Sequence, residues 1–60
     1  MPVFTCLITD SRYSVPTLSL LITAAEAQAQ ALARDELQAS PFHRAYELLA
    51  GDRLVAAEAK

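Results

Sequence analysis

Tyr46-Glu47-Leu48-Leu49-Ala50-Gly51-Asp52-Arg53-Leu54-Val55 is the stretch whose reading decides the fold. Read as a helix, it runs into the Ala-rich tail Ala56-Ala57-Glu58-Ala59-Lys60. Ser40-Pro41 then caps and starts that helix, with Pro at the first helical position. The chain becomes a β-hairpin followed by two helices. Read as strands, Gly51-Asp52 is a two-residue loop between two apolar runs. The pairing such a loop imposes is self-consistent. Leu48 faces Val55 and Tyr46 faces Ala57 on one side, and Leu49 faces Leu54 on the other. The hairpin is the favoured reading, and the two-helix tail is the alternative.

Upstream, Thr23-Ala24-Ala25-Glu26 matches a capping box, in which Thr23 and Glu26 satisfy each other's backbone N–H. Residues 24–39 are almost wholly Ala, Gln, Glu, Leu and Arg, all strong helix formers. Ser40-Pro41 stops that helix, because the residue before Pro avoids the α region. Ala25, Ala29, Leu32, Ala33 and Leu37 form its expected inward stripe. Further upstream, residues 3–9 are β-branched and aromatic and alternate as a strand. Phe4, Cys6 and Ile8 share one face, and Val3, Thr5, Leu7 and Thr9 the other. Asp10 to Ser14 supply turn residues, with Asp10 and Ser11 able to bond nearby backbone. Val15 to Thr23 read as a second strand, with Pro16 tolerated near its start on an edge. Its Leu18, Leu20 and Ile22 are expected on the Phe4 face.

The expected fold is therefore one α+β domain over residues 1–60. A small antiparallel sheet in β-β-α-β-β order carries one Ala-rich helix on one face. Residues 17–27, a hairpin strand running into a helix that opens with a capping residue, acids and alanines, look like a pattern common in small bacterial proteins. The ending 47–55 is similar to terminal hairpins in such proteins. These resemblances imply a ββαβ-type architecture and no activity.

Composition narrows the classes. The chain has 60 residues, 53% of them hydrophobic and 20% charged, and a net charge of −2. That apolar fraction argues against disorder. A domain of this size buries only about 60% of its unfolded surface, and chains without disulfides or metals often gain their margin by oligomerising. Five cationic residues are scattered and form no basic stripe, which disfavours nucleic acid. One Cys permits no internal disulfide and suits a reducing compartment. No cationic segment precedes a long apolar run, and no run approaches the about 20 residues of a membrane span. A cytoplasmic protein with no membrane association is expected.

The chemistry-bearing residues are few. Cys6 and His43 are each unique, and a nucleophilic dyad would need them within hydrogen-bond reach. Cys6 alternates with Phe4 and Ile8, which points it into the core, where free Cys behaves as a small hydrophobe. His43 follows the Ser40-Pro41 break and reads as a loop or strand-end residue. Asp35 and Glu36 are adjacent on a helix and splay apart. Gly51 stands alone and opens no helix, so no phosphate loop is present. Structural zinc wants four Cys or His ligands. No catalytic, metal or cofactor site is expected, and no cofactor.

The informative feature is the second sheet face. An antiparallel sheet with one wet face alternates cleanly between apolar and polar residues. Here Val3, Leu7, Val15, Leu21, Leu49 and Leu54 are expected on the face the helix leaves open. Contiguous apolar patches of that kind mark interfaces. The expected activity is non-enzymatic association, as a homodimer or with a partner protein. Two alternatives are an antitoxin-like regulator that neutralises a partner, and a ligand-binding or minimal catalytic protein whose pocket lies between subunits.

Overall fold

The computed structural model describes residues 2–60. Its order is β1 (Val3–Asp10), β2 (Thr17–Ile22), α1 (Glu26–Gln38), β3 (His43–Ala50) and β4 (Arg53–Ala59). The strands form a single antiparallel sheet in the spatial order β2-β1-β3-β4, with α1 across one face. This is the α+β fold the hairpin reading requires.

The decisive turn is built as its residues dictate. Ala50 pairs with Arg53, so Gly51-Asp52 is a two-residue loop. Gly51 has φ +64°, and no other described residue has a positive φ. A left-handed first position followed by an ordinary second one is the II′ hairpin pattern, which needs glycine there. A bulge follows between Leu48 and Leu49, where Leu49 pairs with Leu54 and Leu48 with Ala56. Val55 is the extra residue. Tyr46 therefore lies opposite Glu58, not opposite Ala57 as a regular ladder would place it.

The core lies between α1 and the two central strands. Phe4, Cys6 and Ile8 of β1, Tyr46 and Leu48 of β3, and Ala29, Ala33 and Leu37 of α1 are all buried. Alanine at two of the three helix contacts lets the helix backbone approach the sheet closely. Leu32 and Ala25, expected on the inward stripe, are exposed. The buried positions are i, i+4 and i+8, a stripe too narrow to include them.

The helix starts later than the capping box implies. Ala25 is the N-cap and makes no side-chain cap bond. Thr23 is buried, and its hydroxyl donates to the Gln28 side chain. Glu26 pairs with Arg53 at the start of β4. Other partners, one local and one distant in sequence, have claimed both members of the box. At the other end the helix carries no basic residue in its last turn. Donors come from elsewhere: His43 bonds the Glu36 carbonyl through Nδ1 at 2.6 Å, and just beyond the helix the Lys60 ammonium donates to the Ser40 carbonyl at 2.9 Å. Positive or donor groups at a helix C-terminus satisfy its last carbonyls.

The second strand corrects the sequence reading. β2 spans Thr17–Ile22, and its register sets Phe4 against Leu21, Cys6 against Ser19 and Ile8 against Thr17. Residues directly opposite share a face. Leu21 therefore turns to the helix side and packs against the core, while Leu18, Leu20 and Ile22 turn away from the helix. This is the reverse of the expected assignment, since a slip of one residue moves every side chain to the other face. The cause is the connection over residues 11–16. The Asp10 carboxylate accepts from the Arg12 backbone N–H at 2.8 Å, and the Tyr13 N–H donates to the Asp10 carbonyl at 3.1 Å. That local turn, followed by Pro16, fixes the loop length and with it the parity of the pairing. Val15, expected on the sheet, lies in this connection and outside any strand.

Candidate functional site

Two places gather side chains that could form a site: the polar cluster where β1 ends, and the open face of the sheet. At the first, Asp10 is buried and forms a two-pronged contact with Arg12, through Nε at 3.0 Å and a terminal nitrogen at 2.7 Å. The Arg12 guanidinium lies 4.5 Å from the Phe42 ring centroid and 5.3 Å from that of Tyr13. His43 Nε2 is 3.7 Å from the Asp10 carboxylate. The hydrogen bonds from Arg12 hold the Asp10 carboxyl down at about 2, against an ordinary value of 3.8.

Each group in this cluster is already committed. The Asp10 carboxylate is taken up by Arg12. His43 uses one ring nitrogen on the helix end and turns the other toward Asp10. The cluster ties the end of β1, the start of β3 and the C-terminus of α1 together. Sequence reading placed His43 in a loop or at a strand end, and it is the first residue of β3. Its partner set was not legible, because Glu36 and Asp10 are brought to it by the fold alone.

Cys6 is far from this cluster. Asp10 is four residue steps further along β1, about 13 Å at the usual strand rise. Its side chain is wholly buried. Burial, followed by the proximity of Glu36, pushes its thiol above the ordinary range. A thiol held protonated is a poor nucleophile. Among the described residues no pocket opens, and no group of three or more His, Cys, Asp or Glu side chains converges. No helix among the described residues is long and apolar enough to cross a membrane. On the helix side, Tyr46 donates to Glu58, and Glu58 also accepts from Arg34 at 2.7 Å. Arg34 first, and then Tyr46, lowers the Glu58 carboxyl. This bridge fastens β4 to α1.

The open face is the larger feature. It presents Val3, Thr5, Leu7 and Thr9 from β1, and Leu18, Leu20 and Ile22 from β2. Ala45, Glu47 and Leu49 of β3, and Leu54, Ala57 and Ala59 of β4, complete it. Leu18, Leu20 and Ile22 are 60%, 62% and 66% exposed. Val3 and Leu54 are also exposed, and Leu7 and Leu49 are half-buried by their neighbours. Of the six residues expected on this face, Val3, Leu7, Leu49 and Leu54 lie there, Leu21 lies on the other face, and Val15 is off the sheet. The residues that sequence reasoning missed, Leu18, Leu20 and Ile22, are the most exposed large aliphatics of the strands. Their alternation was visible in the sequence; its phase relative to β1 was not.

No family model, curated protein or solved structure matches this chain.

Proposed function

We propose that this protein is a non-enzymatic association module, and that the open face of its sheet is the working surface. The observation that carries this reading is the phase of β2. The strand turns Thr17 and Ser19 toward its own helix and Leu18, Leu20 and Ile22 toward solvent. A self-sufficient sheet would do the opposite, setting the aliphatics under the helix and the hydroxyls in water. Each of the three large side chains gains on the order of 1–2 kcal/mol when it leaves water, counted for its exposed fraction. In a chain with so small a core, that gain is available only through another surface.

Commitment of the polar groups supports the same reading. Cys6 is enclosed in the core, and His43 and Asp10 hold structural contacts. Leu20→Asp tests the role of the face. Leu20 lies outside the core, so the variant keeps its helix and sheet by circular dichroism. Light scattering at 100 μM, as an order of magnitude for moderate affinities, then shows a monomer where the native chain shows a larger species. A variant that keeps the native chain's mass contradicts the reading.

A further inference from the structure

Resting on the reading of the open face as an association surface, the geometry points to a second copy of this chain as its occupant, stacked sheet on sheet about a two-fold axis parallel to the strands. The area suits it. The molecule is a slab of 32 × 19 × 15 Å, and a broad face of such a slab is about a fifth of its surface, or roughly 800 Å² of the 3878 Å² total. A stable interface of standard size takes about 800 Å² from each partner. The chemistry suits it as well. The in-register residues of the face are aliphatics, threonines and alanines, with the single carboxylate of Glu47. The nearest cation along β3 is Arg44, in the bulge beside Thr9 and Asp10. Such a face carries no charge pattern that would select an unlike partner, and a copy of itself meets it with the same apolar groups.

The direction of the axis follows from a gradient of side-chain size. The β2 edge is built of large aliphatics, and the outer half of β4 is built of Ala57 and Ala59. A two-fold axis parallel to the strands lays β2 of one copy over β4 of the other, large over small, and does so twice. That interdigitation keeps two sheets at their usual spacing of about 10 Å. An axis across the strands would stack β2 on β2 and leave alanines facing alanines over a void. Pairing two β2 edges would extend the sheet and leave its leucines in water.

Cysteine cross-linking tests the arrangement. Leu18, Leu7, Glu47 and Ala57 lie at one level across the sheet, so Leu18 and Ala57 meet across the proposed stack. Leu18→Cys and Ala57→Cys, both at exposed positions, are mixed in equal amounts and oxidised, with Cys6 left in the core. Mass spectrometry distinguishes the three dimers. The mixed disulfide is expected to exceed each like-with-like disulfide at least about fivefold, where random pairing gives about twofold. Leu20→Cys with Leu54→Cys, at the next level, is a second pair with the same expectation. An excess of like-with-like dimers in both sets overturns the arrangement and leaves association standing. A folded native monomer by light scattering at the same concentration overturns both.

Discussion

Asp10 shows how one side chain can connect the chain's chemistry to its topology. Its carboxylate closes the turn that sets the phase of β2, and Arg12 holds its carboxyl at about 2. A carboxyl lowered on folding contributes stability that is fully present above its unfolded value of 3.8 and disappears as pH falls through about 2. Asp10→Asn removes that contribution. The acid limb of its unfolding, followed by circular dichroism between pH 5 and 1, will be flatter than the native chain's over that window. Equal slopes would mean that Asp10 carries none of the acid sensitivity. Glu47 makes the opposite case, as a charge on a surface that otherwise sheds water. Its cross-strand neighbours Leu7 and Ala57 offer it no partner. Glu47→Gln is expected to tighten self-association about tenfold at neutral pH, or about 1.4 kcal/mol. Sedimentation of the two proteins side by side reads that change, and a weaker dimer would show that the carboxylate finds a partner across the interface.

Among the elements, the helix is the one that admits least change. Ala33 is fully buried where α1 crosses the sheet, so added methyl groups have nowhere to go. Ala33→Leu is expected to cost about 1–3 kcal/mol by chemical denaturation, in spite of leucine's good helix propensity. A neutral effect would mean the helix stands farther from the sheet than the full burial of Ala33 requires. The terminal hairpin was legible because its signal is local: Gly51 alone supplies the left-handed residue that a two-residue loop requires. The helix was legible from its composition, although its start was not. Thr23 and Glu26 have the right spacing for a capping box, but Gln28 and Arg53 compete for them, and Arg53 is distant in sequence. The phase of β2 was not legible at all. Strand alternation defines two faces without saying which meets the helix. That choice came from the Asp10–Arg12 turn and the length of its loop, which a period-two pattern does not encode. The same missing information moved Leu21 inward and brought Leu18, Leu20 and Ile22 out, so the open face proved more apolar than the sequence implied.

At the scale of the molecule, two layers are present where the side-chain distribution suits three. The helix covers the central strands from one side, and the other side of the sheet, with the aliphatic row of β2, faces solvent. Small domains without metals or disulfides commonly reach adequate stability by pairing, and stability then depends on protein concentration. Folding and association are accordingly expected to be linked. Sedimentation equilibrium of the native chain from about 5 to 500 μM, a range that brackets micromolar affinities, tests this most directly. The predicted result is a mass rising from the 6.5 kDa of one chain toward twice that value with increasing concentration. A folded species that remains at 6.5 kDa throughout would contradict it.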